Sequence, residues 1–356
     1  MMLQQTLSFG LLFLMGYLGY LLFRLLHIPA APLLASMVST AFLQFLGWPT
    51  GFTDGALAFL CSVILGINMG KQIQADILAR VATAARPIAV HVCGMLLVSL
   101  SCGFFLYLFA NHYGTDLSLV NALVRTSTGG LGGMTVLGMS LNADIVLLVF
   151  FQLFRQVTFL SLLAYMPAIT GRFVPMQSRS LSSPKMRALP AFERREYIFL
   201  VCSATIGGYL GMRIGMPAGA LFGAMLFSGI LAVILKKHYL CPTQVRVVAQ
   251  IGLGLILGKR FDGGLLPIVS ELLLPAVLVT AVMLIGCLLL ALLLFKTTGY
   301  DLNTCLVCSA PAGMSQMASI AEESGADMLT ASLFHAARVI AVVTLYPWLV
   351  LYFIGM

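Results

Sequence analysis

The sequence predicts an all-α polytopic membrane protein. It has about ten transmembrane helices plus broken or re-entrant glycine-rich elements, in two tandem repeats of inverted topology. Three observations carry that expectation. Hydrophobic residues make up 60% of the chain, charged residues only 9%, and the mean hydropathy is +1.02, more apolar surface than a soluble core of 356 residues can hide. The apolar runs have helical length and lack the alternating ten-residue strands of a membrane barrel. Finally, the fragment Gly130 to Arg155 recurs 183 residues later as Gly313 to Arg338, with Gly, Met, Ala-Asp, Phe and Arg at the same offsets and no gap.

The first apolar segment, residues 6–26, follows an N-terminus (MMLQQTLSFG) without the basic region and small-residue cleavage site of a secretory signal, so it reads as the first span. Further apolar segments follow at 29–48, 55–70, 87–111, 118–140 and 143–169. The series repeats at 197–212, 217–235, 247–258, 265–295, 303–321 and 326–354. At an offset of 188, Pro29-Ala30 answers Pro217-Ala218, the Gly66/Gly70/Lys71 spacing answers Gly254/Gly258/Lys259, and Pro87 answers Pro275. Residues 1–170 form one membrane repeat and 197–356 the other. Between them, 171–196 is a connector with six basic residues (Arg172, Arg179, Lys185, Arg187, Arg194, Arg195) and two acids. A basic stretch beside membrane spans is expected of a cytoplasmic loop, so the net charge of +8 does not point to nucleic acid.

Charge also orients the element at 118–140. If it crossed the bilayer, Arg24, Lys71, Arg80 and Arg86 would lie outside, against the positive-inside rule. If it enters and leaves on one side, those four fall in the cytoplasm, as do Lys236, Lys237, Arg246 and Lys296 of the second half, with Lys259 and Arg260 as exceptions. Five crossings per half is an odd number, which inverts the halves. Inverted repeats with interrupted helices are an architecture of secondary transporters. The stretches Arg125–Met134 and Ser309–Met317 hold too much Gly, Ser, Thr and Pro for ordinary lipid-facing helix, and their freed backbone groups need protein, water or a ligand.

Candidate substrate- or ion-binding residues are therefore Ser127, Thr128, Gly129, Gly130 and Met134 in the first stretch and Ser309, Pro311, Gly313 and Met317 in the second. With them go Asp144, Gln152 and Arg155, and Asp327, His335 and Arg338. Each Asp precedes its Arg by eleven residues, about three turns and about 16 Å along a helix, on one face but too far to pair. Asp144 and Asp327 read either as first-turn residues favoured by free N–H groups or as proton- or cation-binding carboxylates. Arg155 and Arg338 either donate to carbonyls of the broken element or meet an anionic substrate. His335 is either a hydrogen-bonded packing residue or a proton relay. Arg125, whose equivalent is Cys308, either helps define a substrate or lies at a membrane surface.

The Gly-x-x-x-Gly pairs read as close helix approaches. Glycines 207, 211, 215, 219 and 223 form a ladder, but Pro217 is expected to start a new helix within it, so the ladder is not one packing face. The eight Cys are scattered in apolar segments, with one isolated CxxC at Cys305 and Cys308, and the 19 Met form no cluster. The five His show no metal-ligand spacing and no P-loop is present, so neither an enzyme nor a cofactor is expected.

The duplicated Gly-Gly-x-x-x-Met, Ala-Asp and Arg pattern, with the Pro-Ala openings of both halves, resembles the AbrB family of bacterial inner-membrane proteins over essentially the full chain. Some members carry the name ammonia monooxygenase, which these residues do not support. The family looks like a distant relative of cation:proton antiporters and bile-acid symporters, which implies inverted five-helix repeats with broken helices. In place of the family's Ser-Pro-Gly-Gly, this sequence has Ser127-Thr128-Gly129-Gly130, and the second motif has Ala312-Gly313. The resemblance implies a multi-pass protein of the bacterial inner membrane. The first functional expectation is a secondary transporter, proton- or sodium-coupled, for a small molecule or ion. The alternative is a membrane regulator or sensor acting indirectly on gene expression, distinct from the soluble DNA-binding regulator of the same name. The expected partners are the lipid bilayer and the substrate, with no direct nucleic-acid contact, and an oligomer is compatible with the sequence.

Overall fold

A computed structural model describes residues 2–26, 28, 30–48, 54–73, 84–114, 116–164, 190–259, 265–311 and 326–355. These form thirteen α-helices. The first half gives α1 (Met2–Leu25), α2 (Ala31–Phe45), α3 (Asp54–Gly70), α4 (Ala85–His112), α5 (Leu119–Thr126), α6 (Leu131–Ser140) and α7 (Ile145–Ala164). The second gives α8 (Arg194–Arg213), α9 (Gly219–Leu235), α10 (Thr243–Gly258), α11 (Leu265–Thr298), α12 (Leu302–Ser309) and α13 (Met328–Ile354). Stretches of α1, α4, α11 and α13 are long and apolar enough to cross a membrane, and six further apolar helices run to 10–17 residues.

The chain forms two compact units, and each takes segments from both halves of the sequence. Unit 1 comprises Met1–Ile73 and Pro190–Glu271, and unit 2 comprises Gln74–Leu189 and Leu272–Met356. In unit 1, α2 packs on α10 and α3 on α9, while α1 lies on α2 and α8 on α9. Glycine sets these approaches. A Cβ on Gly66 would stand 2.6 Å from the Leu221 carbonyl oxygen and 3.0 Å from the Met225 nitrogen. A Cβ on Gly254 would meet Leu33, Ser36 and Met37, the same positions less 188. The Gly-x-x-x-Gly pairs are therefore packing devices. The glycine ladder is divided as Pro217 predicts: Gly207 and Gly211 of α8 face Gly223 and Gly219 of α9, backbone against backbone.

Both α2 and α9 start from an alanine in the left-handed region, Ala30 at φ 53° and Ala218 at φ 52°. Each is the alanine of a Pro-Ala pair in the sequence, held against an intrinsic cost of about 1 kcal/mol for a residue with a Cβ. At the start of α8, the Glu193 N–H donates to Glu196 Oε2 at 2.7 Å, and Lys237 Nζ stands 2.8 Å from Glu196 Oε1. That hydrogen bond is the main reason the Glu196 carboxyl titrates below its ordinary 4.5 and Lys237 above its ordinary 10.5. The carboxylate's stabilisation is present above the unfolded glutamate range and is lost as pH falls through the lowered value. The ammonium's share is present below the unfolded lysine range and is lost as pH rises through the raised one. Lys237→Gln is thus expected to flatten both flanks of a melting-temperature-against-pH profile, and an unaltered profile would show that the contact is idle.

Unit 2 gathers α4, α5, α6, α7, α12, α13 and α11 from Leu272 onward. Its core is formed by Ile88, Met95, Cys102, Phe151, Met283, Cys287, Leu290 and Phe334, among others. Proline interrupts the hydrogen-bond ladders of α11 at Pro275 and of α13 at Pro347.

Candidate functional site

Two short helices end inside unit 2. Helix α5 starts at Ser118, whose Oγ accepts from the Asn121 N–H at 3.3 Å, and runs only eight residues. It stops because Ser127 turns extended (φ −60°, ψ 142°), and the chain bends through Thr128 and Gly129 before α6 begins at Gly130. Helix α12 repeats the design 183 residues on. Asp301 Oδ2 accepts from Thr304 N at 2.9 Å, and the helix stops where Ala310 turns extended (φ −73°, ψ 129°), followed by the buried Pro311. Residues 312–325, which include Gly313 and Met317, lie outside the described part of the structure.

An arginine closes each break. Arg155 on α7 donates from Nη1 to the Ser127 carbonyl at 2.7 Å and, more weakly, to Thr126 at 3.4 Å. Arg338 on α13 donates from Nη1 to the Ala310 carbonyl at 2.6 Å. Ala310 is the 183-offset counterpart of Ser127, so each arginine reaches the same atom of its own break. The last carbonyls of a helix have no acceptor role within it and carry the negative end of the dipole, so a guanidinium there satisfies both needs. Both side chains are buried, with 6% and 2% exposure. Both arginines thus donate to carbonyls of the broken elements. The Arg155 Nε still has no hydrogen-bond partner among the described residues.

The aspartates occupy helix starts. Asp327 Oδ1 accepts from Leu329 N at 3.0 Å and Thr330 N at 3.3 Å, and Oδ2 accepts from Thr330 Oγ1 at 2.8 Å. Asp144 Oδ1 accepts from Leu147 N at 3.2 Å. Backbone contacts tie each Asp to the short helix: Asp144 N donates to Asn121 Oδ1 and Asp327 N to Thr304 Oγ1, both at 2.8 Å. Asp144, 46% exposed, also stands 3.9 Å from Arg125 Nη2. Arg125 is 5% exposed with its guanidinium 5.8 Å from the Phe151 ring centre. Asp144 gives Arg125 a counter-charge and Phe151 a π-face, which together permit its burial within the protein.

The remaining predicted residues line the breaks. Ser127 Oγ donates to Val124 O at 2.8 Å, Gln152 Nε2 to Ser127 Oγ at 3.4 Å, and Thr128 Oγ1 shares a hydrogen bond with Ser99 Oγ at 2.9 Å. Met134 folds back so that its thioether fills the space a Cβ on Gly129 would need. Gly130 is exposed, with open space where its Cβ would be. Ser309 is buried at the last position of α12. His335 Nε2 stands 3.1 Å from the Val307 carbonyl, the hydrogen-bonded packing role. Sequence reasoning missed Asn121 and Thr304, although two polar residues at the same offset from each Asp were a usable signal. It also missed Tyr346, whose hydroxyl donates to Leu123 O at 2.7 Å; nothing local marks a contact spanning 223 residues.

Long apolar helices, interrupted short ones and charged side chains satisfied in the apolar interior define a helical membrane protein. Sequence comparison specifies it further. The family described as Transition state regulatory protein AbrB matches residues 1–166 and 53–354, and the chain belongs to that family. Similar proteins include "Putative regulator AbrB" of Escherichia coli (strain K12), 23% identical over 348 residues, covering 96% of this chain and 95% of that one. "Uncharacterized protein YhjN" of Bacillus subtilis (strain 168) is 22% identical over 324 residues, covering 88% and 82% respectively.

Proposed function

We propose that this protein is a secondary transporter of the bacterial inner membrane, built from two inverted repeats, whose substrate and coupling ion bind where the two broken elements of unit 2 interrupt their helices. One observation carries the reading. Each break is capped by a buried arginine on the same carbonyl position, 183 residues apart. A fold that only needed to cross the bilayer would use continuous helices, because every interruption leaves backbone groups that lipid cannot satisfy. Arg155, with no acidic partner among the described residues and an unused Nε, favours an anionic substrate. Asp144 and Asp327, at the starts of the helices that carry the two arginines and eleven residues before them, supply carboxylates for a proton or sodium ion.

The test uses purified protein in liposomes, a panel of small organic anions, amino acids and metal ions, and an imposed pH or sodium gradient. Asp144→Asn and Asp327→Asn are informative because asparagine caps a helix as well as aspartate but carries no charge. Gradient-driven uptake by the wild type that disappears in either variant, with both variants folded, supports transport and its coupling together. Flux unchanged in both variants would remove the aspartates from the mechanism. No flux across the panel, from protein with a cooperative melt, would favour the regulatory reading that the name of the Escherichia coli relative carries.

A further inference from the structure

The structure assigns a second, unrelated site: we infer that the end of unit 1 where α3 meets the start of α10 binds a phosphate-type anion through Lys71, Arg246 and the first N–H groups of α10. The inference is independent of the transport reading. Tyr239 Oη donates to the Ile67 carbonyl at 2.8 Å, and a Cβ on Gly70 would overlap Ser228 and lie 2.9 Å from Tyr239 Oη. The segment leading into α10 is thereby seated against the last turn of α3. Hydrogen bonds from Gln72 N to Met69 O and from Ile73 N to Gly70 O turn the chain at Lys71.

A comparison of the two halves shows what is unusual about this place. Lys259, the 188-offset counterpart of Lys71, has Asp54 at 2.6 Å. At Lys71 the position equivalent to Asp54 is Pro242, and one turn on, where the first half has Ala58, stands Arg246. The acid has been lost and a second cation gained. Arg246 lies in the first turn of α10, which has no acidic residue and no side-chain cap, so a positive charge sits at the positive end of a helix dipole. No carboxylate reaches Lys71 or Arg246 among the described residues, and the Arg246 Nε is buried without a partner. Burial, and after it the charge of Arg246, push the Lys71 ammonium below the usual lysine range.

Like charges brought together in a half-buried place are costly unless an anion joins them. A fork of guanidinium donors, an ammonium and free N–H groups at a helix start match tetrahedral phosphate oxygens. Such an anion comes either as a phospholipid headgroup at the membrane face or as a soluble phosphate. The charge-based topology places Lys71 and Arg246 on the cytoplasmic side, where anionic headgroups are available.

The full-length protein in mixed phosphatidylglycerol–phosphatidylcholine nanodiscs would be scored for retained lipid by native mass spectrometry. In parallel, protein in neutral detergent would be titrated with inorganic phosphate. Lys71→Gln and Arg246→Gln are each expected to weaken binding about fivefold and the double substitution about thirtyfold, at about 1 kcal/mol per cation. Arg246→Lys should retain most of the affinity, and Lys236→Gln, altering an exposed lysine one residue beyond α9, should leave it unchanged. Loss confined to the lipid arm identifies a headgroup, and loss in the phosphate arm a soluble ligand. Folded single variants that match the wild type in both arms, or a wild type that binds neither anion, overturn the inference.

Discussion

Arg155→Met is expected to lower the stability of the protein by about 3 kcal/mol and, under the proposed transport function, to eliminate flux, although methionine fills much of the arginine's volume. The reason is the pair of carbonyls it leaves behind. Ser127 and Thr126 are 0% and 1% exposed, and their carbonyl oxygens would lose a charged donor with no water to replace it. Arg155→Lys should recover part of the stability through a contact to the Ser127 carbonyl. Arg338→Met should behave alike, because it strips the donor from Ala310. Denaturant melts of detergent-solubilised protein, paired with liposome flux, separate the two effects. A methionine variant with wild-type melting and wild-type flux would falsify the assignment of these arginines to the breaks.

Gly223→Leu is the second substitution with a large expected effect. A Cβ at this position would collide with the carbonyl of Gly207, and one at Gly207 would lie 2.5 Å from the carbonyl of Gly223, so the two backbones touch with nothing between them. Any side chain must push α8 and α9 apart, at a cost of about 3 kcal/mol or more. Gly215→Ala, at the turn between these helices where φ is +75° but no atom lies near a Cβ, should cost only about 1 kcal/mol. Equal losses at the two positions would mean that backbone strain, not close packing, dominates this hairpin.

Much of this molecule was legible because its sequence repeats. The extra Gly, Ser and Thr at Arg125–Met134 predicted an interruption, and α5 stops within that stretch at Ser127. The eleven-residue separation of Asp144 from Arg155 excluded a direct pair, and each indeed finds partners elsewhere: Asp144 on its own helix start, Arg155 on the break. Partnerships across the chain were not legible. That α3 packs on α9 while α2 packs on α10 follows from surfaces far apart in sequence, and periodicity says nothing about which small-residue face meets which. The burial of Arg125 was hidden for the same reason, since it depends on Asp144 and Phe151 arriving from another helix. Gly313 and Met317 fall outside the described residues.

The division of the chain into units bears on how the protein is made. The ribosome delivers Met1–Ile73 for unit 1, then Gln74–Leu189 for unit 2, then returns to unit 1 with Pro190–Glu271 before finishing unit 2. While the first half emerges, Gly66 and Gly70 wait for α9, and Gly16 for Ile251 of α10. Nascent chains halted near residue 190 would therefore hold two half-built bodies with bare small-residue faces. Two fragments divided in the connector and synthesised separately have every incentive to find each other in the bilayer, because neither holds a complete unit alone.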